Sequence, residues 1–166
     1  MTDPSSAMDD FVEVSVILTG FNKFDLWATG LLEEYRQAVL SQVGSKTISQ
    51  LKPWATKAKD GAPDLAEKNP NFQNSSNLSG VTLASVACAV TEMWYLGIWP
   101  GISPAAYIEI GKLLGKDPPP NTAFSVSPQA YVEGLVWKTF KGHPMGAKPP
   151  GFGSWADAPS PTESAS

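Results

Sequence analysis

The chain has 166 residues with 42% hydrophobic and 17% charged side chains, enough apolar material for one core and few charges to solvate it. The formal net charge is -4 and Arg36 is the sole arginine, with no basic cluster interleaved with aromatics, which argues against nucleic-acid binding and against polybasic attraction to anionic lipid. A single cysteine, Cys88, excludes an intrachain disulfide and leaves a zinc site only Cys88, His143 and distant carboxylates.

Residues 1–10 are polar, lack the basic and apolar regions of a signal peptide, and read as a flexible N-terminus. Phe11–Leu18 is ambiguous. Val12, Val14, Val16 and Leu18 alternate like a strand, whereas Phe11, Val14 and Leu18 fit one helical face. Thr19-Gly20 is a stop. Asp25 is an N-cap candidate for a helix over 26–43, with Trp27, Leu31, Tyr35, Ala38 and Val39 on one face, ended by Gly44. A weaker helix covers Thr47–Ala58, disturbed by Pro53.

Residues 59–79 form a polar Gly/Pro/Asn/Ser loop, and its Asn-x-Ser triplets at Asn74 and Asn77 are read as chance. Val81–Trp99 holds one charge, Glu92, yet its Thr and Ser content and its lack of basic flanks argue for a buried central helix rather than a membrane span. Leu83, Ala87, Val90, Trp94 and Ile98 make its stripe, Cys88 reads as a small core hydrophobe, and Glu92 is either buried with a partner or turned to a second chain. Ser103-Pro104 caps a short helix to Leu114, stopped by Gly115. Asp117-Pro118-Pro119-Pro120 is a rigid break, and Ser127-Pro128 opens a further helix carrying Tyr131 and Leu135.

From Gly142 the chain is Gly- and Pro-rich but keeps Met145, Phe152 and Trp155. Aromatic anchors on an extended backbone suit a tail that lies on a surface better than one that solvates. His143, the lone histidine, sits in a loop with no carboxylate at an orienting spacing. Phosphate-cradling glycine loops, a haem attachment motif and a cysteine set for an iron–sulfur cluster are missing, so catalytic, cofactor-binding and metal residues are assigned as none.

Three segments carry a resemblance: Phe11–Gly20 followed by Asp25-Leu26; Met93-Trp94-Tyr95-Leu96-Gly97-Ile98; and Tyr131–Trp137 running on to Pro150-Gly151-Phe152-Gly153-Ser154-Trp155-Ala156-Asp157-Ala158-Pro159. In this order they resemble the small (gamma) subunits of bacterial membrane-bound FAD-dependent dehydrogenases for sorbitol, fructose and glucose, over roughly two thirds of the chain.

The resemblance implies a mainly α fold of about five or six helices with long loops and an extended Pro/Gly/aromatic C-terminal tail, and it favours helix for Phe11–Leu18. The domain reading is 1–10 flexible, 11–141 helical with a loop at 59–79 and an insertion expected at 99–126, and 142–166 an extended partner-binding tail. The implied role is non-catalytic: stabilising, and accompanying through twin-arginine export, a large flavoprotein subunit of the glucose–methanol–choline type. FAD, with room for an iron–sulfur cluster, belongs to that partner, and a multihaem cytochrome c subunit is a further implied partner. The implied location is periplasmic at the inner membrane, without a span of its own. This sequence has no Arg-Arg pair, so the export signal does not reside in the residues shown, and a chain made without one is expected to be cytoplasmic. The partner interface is expected to draw on Trp94, Tyr95, Tyr131, Trp137, His143, Met145, Phe152 and Trp155. A stand-alone helical adaptor is the alternative.

Overall fold

The computed structural model describes residues 4–60, 77–115, 118–142 and 144. Its elements are α1 (Pro4–Thr19), α2 (Lys23–Ala28), α3 (Leu32–Val43), α4 (Ser45–Asp60), α5 (Gly80–Leu96), β1 (Ile98–Trp99), α6 (Pro104–Leu114), β2 (Phe124–Ser125), α7 (Pro128–Val132) and α8 (Leu135–Thr139). The fold is mainly α, as expected from the sequence. The described helices number eight rather than five or six, because two expected helices are each split in two.

The Phe11–Leu18 conflict resolves as helix. Residues expected to fray at 1–10 already enter α1 from Pro4. Phe11, Val12 and Val14 are buried, so packing overrides their strand preference. The buried hydroxyls of α1 are satisfied along its own backbone: Ser15 Oγ donates to the Phe11 carbonyl at 2.8 Å and Thr19 Oγ1 to the Ser15 carbonyl at 2.7 Å.

The helix expected over 26–43 is two helices, and Asp25 is not its cap. Asn22 caps α2, its side chain accepting from the Asp25 amide at 2.9 Å. The break falls at Thr29-Gly30-Leu31, where Gly30 takes φ +72° and the Thr29 hydroxyl accepts from the Leu31 amide at 3.2 Å. Gly44 ends α3 as expected.

Pro53 does not disturb α4, which runs unbroken for 16 residues. Both Pro53 and Ser49, whose carbonyl loses its amide donor, are solvent-exposed, so water can replace the missing hydrogen bond.

The central helix is α5. Leu83, Ala87, Val90 and Trp94 of its expected stripe are buried, but Ile98 leaves the helix for β1 and is 40% exposed. Gly97 forces that exit: it is left-handed at φ +73°, and a Cβ there would meet the Ala130 carbonyl carbon at 2.5 Å. The short pair β1–β2 is antiparallel, with Ile98 opposite Ser125 and Trp99 opposite Phe124.

Ser103, Pro104 and Gly115 bound α6 as predicted. The helix opened by Ser127 breaks at Glu133-Gly134, so Leu135 belongs to α8.

One contiguous core runs through α1, α3, α4 and α5. Trp94 sits in it at 1% exposure, its Nε1 donating to Ser15 Oγ at 3.0 Å and its ring meeting Tyr35 edge-to-face at 4.6 Å. Among the described residues no helix is long and apolar enough to cross a membrane.

Candidate functional site

Two faces of α5 meet different surroundings. Leu83, Val86, Val90, Met93 and Trp94 face the core. Ala84, Ala87, Cys88 and Thr91 instead form one wall of an open groove of about 670 Å³. Ile17 and Leu18 of α1, Trp54, Ala55 and Ala58 of α4, and Val136 of α8 complete it, with Tyr95 and Leu96 also on its lining. These walls are apolar, and Lys59, Thr91 and Glu92 supply the polar edge. Four small side chains lie on the helix that would otherwise fill this space with a larger row. A concave, mostly apolar surface with few polar groups is the general form of a binding site.

The groove corrects one sequence expectation and narrows another. Cys88 is exposed on its wall rather than packed as a core hydrophobe. Glu92 is exposed at its edge, which removes the buried setting from the two alternatives expected for it. The apolar periodicity located the buried stripe of α5 but could not tell which neighbouring face another helix would leave open.

The expected interface residues separate. Trp94 belongs to the core and presents almost no surface. Tyr95 is partly buried, lines the groove, donates its hydroxyl to the Thr19 carbonyl at 3.2 Å and stacks edge-to-face with Phe21 at 6.2 Å. Tyr131 and Trp137 form a second pair, with ring centroids 5.6 Å apart and the indole Nε1 donating to the Tyr131 carbonyl at 2.8 Å. Tyr131 stays 45% exposed. His143, Met145, Phe152 and Trp155 lie outside the described residues.

Further large apolar side chains stand in solvent. Phe24 is 81% exposed and Phe140 78% exposed, and Trp27 is half exposed. Lys138 Nζ of α8 reaches the Asp25 carbonyl of α2 at 3.5 Å, so these two helices approach one another.

The charged groups serve structure. Lys52 bridges Asp10 at 2.7 Å and Glu13 at 2.6 Å, tying α4 to α1, and the hydrogen bonds it donates to Asp10 first and Glu13 second hold its ammonium above the usual lysine range. Glu33 is held below the usual carboxylate range by hydrogen bonds from Arg36 and then Gln37. Neither group lines the groove.

Sequence reasoning missed Glu109. It is 8% exposed and accepts from the Ser79 amide and Ser79 Oγ, each at 2.7 Å, and from Thr82 Oγ1. A carboxylate there satisfies the amide end of α5 and suits its dipole. No local spacing links Glu109 to Ser79, 30 residues away, so no sequence pattern would have found it. Among the described residues no group of three His, Cys, Asp or Glu side chains converges on a metal position.

No protein-family model matches this chain, and no curated protein or solved structure matches it either.

Proposed function

We propose that this chain is a non-catalytic small subunit that stabilises a larger FAD-dependent sugar or polyol dehydrogenase subunit and assists its maturation and export. The supporting observation is the apolar groove along α5, accompanied by exposed Phe24, Trp27, Tyr131 and Phe140. Covering about 1,000 Å² of such surface per partner is the scale of a stable protein interface. The class of partner comes from the resemblance of the Phe11–Gly20, Met93–Ile98 and Tyr131–Pro159 segments to dehydrogenase gamma subunits.

The test is co-purification from the native host with a tag on this chain. The expected result is a stoichiometric flavoprotein with bound FAD that oxidises a sugar or polyol. Recovery of the chain without any flavin-containing companion, under conditions that preserve other dehydrogenase complexes, would remove the reading.

A stand-alone helical adaptor is favoured by one observation: the core through α1, α3, α4 and α5 is closed within the chain itself. Native mass measurement on chain made without partners distinguishes the two. A dispersed cooperative monomer supports the adaptor, and aggregation relieved by a co-expressed flavoprotein supports the helper.

A further inference from the structure

The groove beside α5 restricts what kind of segment can fill it. We infer that it takes one amphipathic α-helix of a partner chain, with an apolar row turned inward, a basic side chain toward Glu92 and an acidic one toward Lys59. This deepens the helper reading and rests on it only for the chain that supplies the helix.

Backbone pairing excludes an extended occupant. Every residue on the groove lining belongs to α1, α4, α5 or α8, so no strand edge faces it. Its two hydroxyls already donate within the chain, Thr91 Oγ1 to the Ala87 carbonyl at 2.8 Å and the Tyr95 hydroxyl to the Thr19 carbonyl at 3.2 Å. An extended segment would bury backbone amides and carbonyls there without partners, and a sugar or nucleotide would bury its own polar groups likewise. A helix pairs its own backbone and presents only side chains.

Shape admits a helix. α1, α4 and α5 pack against one another in every pairing, and each contributes to the lining. Ala55 and Ala58 on α4, and Ala84, Ala87 and Thr91 on α5, recur at the three- and four-residue spacing of helical ridges. Small side chains at that spacing let the ridge of another helix settle among them. From Ala84 to Tyr95 the α5 wall runs about 16 Å, roughly three turns.

Charge selects an amphipathic helix. Lys59 and Glu92 both line the groove, and neither makes an ion pair among the described residues. They stand on different helices, α4 and α5, and do not pair with each other. A wholly apolar ligand would leave both unmatched, whereas an amphipathic helix carries both signs beside its apolar row.

The probe is an acetylated and amidated peptide of about 18 residues made of Ala, Leu, Glu and Lys, with Leu along one helical face and Glu and Lys flanking that row. A control peptide has the same composition without the row. With the isolated full-length chain, the row peptide is expected to bind saturably, at least tenfold tighter than the control, and to gain helical circular dichroism on binding. At saturation it should slow modification of Cys88, the thiol on the groove wall, by an aromatic disulfide reagent at least tenfold. Lys59→Glu and Glu92→Lys should each weaken binding about two- to fivefold, the scale of an exposed ion pair, and leave a peptide with Gln in place of Glu and Lys unaffected. Equal affinity of the two peptides within twofold, binding without a gain in helix, Cys88 reacting at its free rate, or charge variants without effect overturns the inference. In the co-purified flavoprotein complex Cys88 is expected to be protected to the same degree. A stoichiometric flavoprotein with Cys88 reacting at its free rate overturns the inference and leaves the helper reading standing. Peptide binding with no flavoprotein recovered does the reverse.

Discussion

The two faces of α5 lie on one continuous apolar helix and have opposite fates. The face carrying Leu83, Val86, Val90 and Trp94 is buried in the core, with Trp94 held between Ser15 of α1 and Tyr35 of α3, while the face carrying Ala84, Cys88, Thr91 and Leu96 opens into the groove. The core face uses large side chains and satisfies its one indole donor internally, through Ser15. The groove face uses small ones from Ala84 to Thr91, with Tyr95 and Leu96 at its end, and is bordered rather than covered. Side-chain size separates them more clearly than polarity does: large residues fill space within the chain, and small residues leave space for something else.

The comparison breaks if the core face tolerates truncation. Trp94→Ala is expected to cost about 3–5 kcal/mol, because it removes a buried indole and leaves Ser15 without that donor. Denaturant titration checks it, and the lost stability should appear as a lower midpoint with an unchanged slope. Glu109→Ala comes next, at about 2–3 kcal/mol, since the Ser79 amide and two hydroxyls lose a charged acceptor at a buried helix end. Glu109→Gln recovers part of that loss on the same titration.

The groove face should respond in the opposite sense. Ala84→Trp is expected to change stability by less than about 1 kcal/mol, because its side chain enters open space. On the helper reading the same change weakens retention of the flavoprotein at least tenfold, measured by pull-down at matched concentrations. A large stability loss with unchanged retention would show this face to be ordinary core.

The smallest effect sharpens the core side. The Tyr35 hydroxyl is fully buried and has no hydrogen-bond partner among the described residues. Tyr35→Phe is therefore expected to be neutral within about 0.5 kcal/mol at pH 7, or slightly stabilising. Burial first, and the charge of Glu34 second, hold this phenol well above its ordinary value of 10.0. A folded-state value above the unfolded one means that the folded state keeps its proton where the unfolded state loses it. The stability from Tyr35 is thus complete below pH 10 and declines as pH rises beyond it. Thermal melts at pH 9 and above should show wild type falling and Tyr35→Phe falling less.

Legibility differed by the range of the interaction. Capping signals were local and legible: Ser103-Pro104 and Gly115 bound α6, and Gly44 ends α3. The break at Gly30 was written in the sequence but hidden by an apolar periodicity that carries on through it. The groove was not legible, because Cys88 and Glu92 lie on the same helix as the buried stripe and only neighbouring helices decide which face stays open. Of the four expected interface residues that lie among the described residues, Tyr95 lines the groove, Tyr131 and Trp137 pair elsewhere, and Trp94 is core.

By itself the sequence determined what depends on near neighbours: the helical class, several helix ends, and a C-terminal stretch that combines proline and glycine with aromatic anchors. Tertiary structure alone decided that Ile98 turns out of the central helix and that Glu109 caps a helix 30 residues before it, and it supplied the burial that keeps the β-branched segment of α1 helical, as the resemblance had implied. The physical reason is common to all three. Burial and hydrogen bonding between distant segments outweigh propensities worth only a few tenths of a kcal/mol per residue.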